Sequence, residues 1–276
     1  MSHADPPPPQ NGPGSAASTG SADRPPTDAE LGDTVARLTD DTTDPGDRRR
    51  LLARLVHQVR GRGVGDLFKP RAALKWISDA VAEVAPYVPV RDLETLRRHH
   101  DGLDGDQLAE RLVRNAAIAT AGVGAAGGGV AAIQWTATPA LLSAPVLLAA
   151  ETVAVVAIEI KLIGELHEVY RQPVPGSGPQ RAVALVMGWS QQRGVNPFVP
   201  GVGIGAVLGQ AARKEMRDRL LRRFGRNLTT LGPFLTGAAV GSYLNRRATK
   251  ALGEQVIADL KSRKPKVIEG EPEPGR

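Results

Sequence analysis

Residues 115–150 read NAAIATAGVGAAGGGVAAIQWTATPALLSAPVLLAA, thirty-six residues without one charged side chain. Reading this stretch decides the fold. It is long enough for two helices packed antiparallel, with Thr136-Ala137-Thr138-Pro139 as the turn between them. The first arm begins near Gln107 and runs to about Trp135. The second runs from about Ala140 to Tyr170, where Pro173 and Pro175 stop it because proline lacks a backbone donor and clashes with the preceding turn. A thirty-residue helix is about 45 Å long. The same run suits either two membrane-depth helices or the two central helices of a soluble bundle.

Side-chain hydropathy does not make either arm a strong independent span. Between Ala116 and Ile133, thirteen of eighteen residues are Ala or Gly. Only Ile118, Val123, Val130 and Ile133 are strongly apolar, contributing roughly −2 kcal/mol at the bilayer centre before the glycine penalties. From Ala140 to Ile158 the larger apolar residues contribute about −4 kcal/mol, and a charged Glu151 returns about 2.5–3.5 kcal/mol of that. The two arms can still enter together, with Glu151 turned inward, as an inserted hairpin over residues 116–158. Small residues at helical spacing, Ala117, Ala121, Gly124 and Gly128, mark a face where two backbones approach closely. Soluble bundles use the same device.

Outward from the hairpin the chain is helical throughout. Strand alternation is absent, and aromatic residues make up only 4% of the chain. Asp44-Pro45-Gly46-Asp47 combines an N-cap, a proline at the first helical position and an acid in the first turn. The helix it opens carries Leu51, Leu52, Leu55, Val56 and Val59 on one face and ends at Gly61-Arg62-Gly63. Leu74, Ile77, Val81 and Val84 stripe a helix from Pro70 to Ala85. A short helix spans Arg91 to His100 and is closed by Asp101-Gly102. Asp104 and Gln107 have capping-box spacing. Arg181 to Gln192, Gly203 to Phe224, and Leu231 to Lys261 follow as helices. Gly237 and Gly241 supply a small-residue face on the last of them. The expected fold class is therefore all-α, a single domain over residues 45–262 around a long Gly/Ala-rich antiparallel helical hairpin.

The ends read differently. Residues 1–44 are Pro/Gly/Ser-rich and acidic, and residues 263–276 hold Pro272, Pro274 and few apolar groups. Such compositions bury too little apolar surface to offset ordering entropy, so both are expected to be disordered. Nine acids against two bases give residues 1–47 a net charge of −7, so the remainder carries +13 to reach the overall +6. A basic body with an acidic arm fits an anionic partner, whether membrane lipid, nucleic acid or acidic protein. The chain has no cysteine, which excludes disulfides, thiolate catalysis and Cys-based metal sites. It shows no secretory signal, so the cytoplasm or the cytoplasmic face of a membrane is expected.

No catalytic, cofactor or metal motif survives inspection. Gly122-x-Gly124-x-x-Gly127 matches the dinucleotide fingerprint formally, but helix precedes it and no acid follows until Glu151. Glu159, Lys161, Glu165, His167 and Glu168 share the second arm, yet Gly164 stands where a Glu-x-x-His site needs its glutamate. They read as a solvated or internally paired polar stripe. His99-His100 sits at a helix C-terminus, where histidine is favourably placed. Arg213, Lys214, Arg217, Arg219, Arg222, Arg223 and Arg226 oppose Met216, Leu220, Leu221 and Phe224. That is a basic amphipathic helix suited to an anionic surface. Nucleic acid is not expected, since no recognised motif or exposed aromatic set accompanies the charge.

Two segments carry a family resemblance. One runs from Pro139-Ala140-Leu141-Leu142 to Lys161-Leu162-Ile163-Gly164-Glu165-Leu166-His167-Glu168-Val169-Tyr170. The other is Pro233-Phe234-Leu235-Thr236-Gly237-Ala238-Ala239-Val240-Gly241-Ser242-Tyr243-Leu244-Asn245, followed by Thr249 and Gly253. Their order and spacing resemble the EcsC-like family of bacterial helical proteins, over roughly Gln107 to Leu260. Arg171 departs from the pattern, which has glycine after the tyrosine. The resemblance implies no catalytic residues, and it implies membrane association. The resulting expectation is a non-enzymatic, membrane-associated accessory or scaffold protein on the cytoplasmic face, without cofactor or metal. Its partner would be an anionic membrane or a membrane protein. The alternative is a soluble helical regulator that binds a protein partner through the basic helix and the acidic arm.

Overall fold

The structure, a computed structural model, describes residues 27–62, 65–68, 70–137, 144–193 and 233–263. Among the described residues the fold is all-α, with eight α-helices, two 3-10 turns and no strand. The helices are α1 (Asp28–Leu38), α2 (Pro45–Gly61), α3 (Pro70–Val84), α4 (Leu93–His99), α5 (Gly105–Ala137), α6 (Ala144–Val169), α7 (Gly178–Gln192) and α8 (Pro233–Ser262).

The first helix corrects the expected disordered arm of residues 1–44. Thr27 and Glu30 form a capping box: the Glu30 N–H donates to Thr27 Oγ1 at 3.3 Å and the Thr27 N–H to Glu30 Oε2 at 2.8 Å. This pairing satisfies two of the donors a helix start leaves open. Leu31, Val35 and Leu38 then fall on one face and are almost fully buried. The acidic composition of the segment concealed a stripe strong enough to fold it. Residues 1–26 and 264–276, where disorder is also expected, lie outside the described residues.

Local signals set the next elements. The Asp44 carboxylate accepts from the N–H of Gly46 (2.7 Å) and of Asp47 (3.0 Å), starting α2 behind Pro45. Asp92 caps α4 by accepting from the Thr95 N–H at 2.7 Å. That helix ends where Asp101 (φ 56) and Gly102 (φ 76) turn left-handed. The Asp104–Gln107 capping box does not form. Asp104 instead accepts from the Gly105 N–H at 2.8 Å and from Arg97. The longer Arg97 side chain competes for the carboxylate that the box requires.

The hairpin arms appear as α5 and α6, but they are not equivalent. Every residue from Val156 to Leu166 is buried, three full turns with no solvent face. A helix apolar on all sides must be enclosed, and α6 is enclosed by α1, α2, α3, α5, α7 and α8. Its apolar run is consumed by other helices of the same chain. Among the described residues no helix is long and apolar enough to cross a membrane. The inserted hairpin over residues 116–158 is thus corrected within these residues. Charged Glu159 and Lys161 interrupt α6, while α5 gives its bulk to alanine and glycine.

The closest partner of α5 is α8 rather than α6. The two run antiparallel in a steady register: Asp106 meets Lys261, Val113 meets Gly253, Thr120 meets Asn245, and Gly124 meets Gly241. At Gly124 a Cβ would lie 2.8 Å from the backbone carbon of Gly241 and the backbone nitrogen of Ser242. Backbone cannot step aside as a flexible side chain does, so glycine is required there. Asn245 seals the contact by donating to the Thr120 carbonyl at 3.2 Å.

Helix α6 stops with Arg171 in the left-handed region at φ 54. Glycine adopts that conformation without steric penalty, whereas an L side chain is strained in it. The end is tied by the Gln172 N–H donating to the His167 carbonyl at 2.9 Å.

Candidate functional site

Buried and half-buried ionisable groups gather at three places along α6. At the first, Arg91, just before α4, crosses the fold to Glu165. Its Nε donates to Oε1 at 2.7 Å and a terminal nitrogen to Oε2 at 3.1 Å, a bidentate fork. The same terminal nitrogen reaches Asp41 Oδ2 at 2.7 Å. Lys161, one helical turn from Glu165, donates to Asp41 Oδ1 at 3.1 Å and lies 3.5 Å from Glu165. Two cations and two carboxylates therefore balance, and they join the α1–α2 loop, the approach to α4, and α6.

Electrostatics of this cluster follow from burial and pairing. Burial pushes the Asp41 carboxyl up, but Lys161 and Arg91 outweigh it and hold the group below its usual range. Burial disfavours the Arg91 cation, and the hydrogen bonds and charge of Glu165 and Asp41 more than restore it. His100 caps α4 beside them, with its Nε2 buried, unpartnered and 4.0 Å from Asp41. Burial and the Arg91 charge lower the pKa of its imidazole, against the pull of Asp41 and Glu165.

The second place is Glu159, which is 1% exposed. Trp189 Nε1 donates to Oε2 at 2.8 Å, Thr249 Oγ1 donates to Oε1 at 2.8 Å, and Arg193 Nε donates to Oε2 at 3.2 Å. A second Arg193 nitrogen pairs with Oε1. One carboxylate thereby fastens α7 and α8 to α6.

The third is Glu151. Its carboxyl lies against Gly127 of α5, where a Cβ would overlap it. Burial raises its pKa to about 7, and it has no hydrogen-bond partner among the described residues. A pH dependence follows. The unfolded chain ionises this group near 4.5 and the folded chain near 7, so the folded state holds more protons between those values. Stability then falls as pH rises through that window. Glu151→Gln should leave stability at pH 4 unchanged and raise it by about 1–3 kcal/mol at pH 8, since each tenfold change in proton affinity is worth roughly 1.4 kcal/mol. Urea unfolding of both proteins at the two pH values measures the difference. An equal difference at both values would show that Glu151 does not titrate there.

The residues singled out from sequence are dispersed. Gly124 and Gly241 touch each other across α5 and α8. Gly128 lies in α5 and Gly237 in α8, but their surroundings are outside the described residues. Arg213, Lys214, Arg217, Arg219, Arg222, Arg223 and Arg226 also lie outside them, in the segment between α7 and α8. Sequence reasoning missed Asp41, Arg91, Trp189, Arg193 and Thr249 as partners of the α6 charges. Acids within a run as apolar as 153–166 were the available sign, since such groups need buried counterparts.

Chemically, both complete clusters are closed. Each carboxylate accepts two or more hydrogen bonds from the fold, an arrangement that fixes helices. Among the described residues no set of three His, Asp or Glu side chains is arranged to hold a metal. Comparison with protein-family models, curated proteins and solved structures finds no match to this chain.

Proposed function

We propose that the protein is a non-enzymatic accessory or scaffold domain that works at an anionic membrane surface. On this reading it is held there peripherally, through the basic segment 213–226. One observation carries it: from Val156 to Leu166 α6, the most apolar helix, is buried on every side by other parts of the same chain. A helix enclosed over three turns suits a rigid scaffold. The excess of positive charge after residue 47 supplies the attraction, and the resemblance to the EcsC-like family points to the same location.

Flotation with liposomes tests this reading. Each basic side chain near an anionic leaflet contributes about 1 kcal/mol, screened within a Debye length. The full-length protein should float with anionic vesicles at low salt, stay behind with phosphatidylcholine alone, and be released by raised salt. Changing Arg217, Arg219, Arg222 and Arg223 together to Gln should weaken binding at least tenfold. Binding that survives both high salt and the four substitutions would reject surface attraction. Absence of binding to every vesicle would leave the regulator that engages a protein partner.

A further inference from the structure

The antiparallel seam of α5 and α8 is flanked by a cleft of about 510 Å³ that neither buried cluster uses. Its apolar lining is Val113, Ala117 and Ile257. At one end the charges are consumed. Asp106 accepts from the Tyr170 hydroxyl at 2.8 Å and from Lys261 at 2.7 Å. The Lys261 ammonium also stands 6.0 Å from the Tyr170 ring centroid. Along α8, Lys250 pairs with Glu254 at 3.6 Å.

The rest of the lining is not balanced. Arg114 of α5 and Arg246 of α8 both line the cleft, one from each wall. Both are exposed, and neither has an ion-pair partner among the described residues. Glu110 is the single carboxylate left over. It lies one turn from Arg114 towards Tyr170, whose hydroxyl proton its charge helps to retain. After pairing, the cleft keeps one net positive charge, and its two free guanidinium groups belong to different helices.

We infer that this cleft binds a phosphate monoester. The dianionic head would lie between Arg114 and Arg246, and the carbon portion would rest on Val113, Ala117 and Ile257. Guanidinium forks match phosphate oxygens two at a time. A phosphate monoester near neutral pH carries almost two negative charges, enough to engage both arginines where a carboxylate offers one. The volume falls within the roughly 300–1,000 Å³ range of small-ligand clefts and is narrow for a folded partner. The head can come from a soluble metabolite or from a membrane lipid, and the chemistry is shared.

Two probes separate these sources. The full-length protein is titrated calorimetrically with sn-glycerol 3-phosphate, and floated with vesicles containing phosphatidic acid. Binding of the soluble probe assigns a free phosphate ligand, and binding of the vesicles alone assigns a lipid head. In either case the double substitution Arg114→Gln, Arg246→Gln should reduce affinity at least tenfold. Arg54→Gln, on an exposed position of α2, should leave it unchanged. Unaltered circular dichroism and melting of the double variant exclude misfolding as the cause. Binding undiminished in the double variant, or no binding of either probe, overturns the inference. So does equal competition by a Glu-rich peptide, which would make the cleft a protein-docking surface. Because the basic segment 213–226 is itself expected to bind anionic vesicles, the flotation is run with Arg217, Arg219, Arg222 and Arg223 changed to Gln, so that this result and the liposome result above stand or fall separately.

Discussion

Arg91→Met should destabilise the protein by about 3–5 kcal/mol, the range expected when one member of a buried ion cluster is removed. The substitution keeps most of the side chain's length and apolar stem but deletes the fork that satisfies Glu165 and one oxygen of Asp41. Lys161 cannot replace it. It already donates to the other oxygen of Asp41 at 3.1 Å, and it stands 3.5 Å from Glu165. Two carboxylates are then left facing one ammonium, and Glu165 is only 3% exposed. Chemical denaturation at pH 7 gives the magnitude, and repetition at pH 4 gives a second check. Loss of Arg91 removes a group that holds Asp41 ionised, so its carboxyl should protonate at higher pH. The variant should therefore lose less, relative to wild type, as acid neutralises the orphaned charge. A loss under 1 kcal/mol at pH 7 would mean that water reaches the cluster.

How much of this was legible beforehand depends on the range of each interaction. Signals within one or two turns were readable. Asp44-Pro45 opened α2 where expected, and Leu51, Leu52, Leu55, Val56 and Val59 are its buried face. The capping box at Thr27 and Glu30 was equally local, but the Pro- and acid-rich composition around it obscured the Leu31, Val35 and Leu38 stripe. Gly124 was readable as a close-approach residue. That it faces Gly241 rather than the second hairpin arm was not, because small-residue spacing marks a face and does not name its partner. Glu159, Lys161 and Glu165 were visible as polar residues on an apolar helix. Their partners lie 74 residues away for Glu165 and Arg91, and 120 for Lys161 and Asp41. No periodicity encodes such pairings. They arise only once α6 is surrounded, when Glu159, Lys161 and Glu165 meet counterparts brought in by other parts of the chain.

The Glu159 site separates this account from one in which the α6 charges are incidental. Glu159→Leu should also cost about 3–5 kcal/mol, although it places an apolar residue in an apolar core and relieves a buried charge. Leucine leaves the Trp189 indole N–H, the Thr249 hydroxyl and the Arg193 guanidinium without their acceptor, and each buried donor so stranded costs about 1–3 kcal/mol. Glu159→Gln keeps the shape and one acceptor oxygen. Its amide nitrogen turns a donor towards the donors of Arg193, so it should lose a large part of the same amount. The compensating change distinguishes the causes. In Glu159→Leu combined with Arg193→Met and Thr249→Val, the donors other than the indole N–H disappear with the acceptor. Replacing a buried polar set by apolar groups of similar shape is often neutral or stabilising, so much of the lost stability should return. The indole fluorescence of Trp189 reports whether α7 stays docked, provided Trp76 and Trp135 are first changed to Phe so that one tryptophan is followed. If the triple substitution is as unstable as Glu159→Leu alone, the loss comes from packing and not from stranded donors. If it recovers, the carboxylate serves to hold α7 and α8 in register on α6, and stability alone does not require it. That register is also what sets the position of Arg246 relative to Arg114, so a shifted α8 should weaken ligand binding in the cleft before it unfolds the protein.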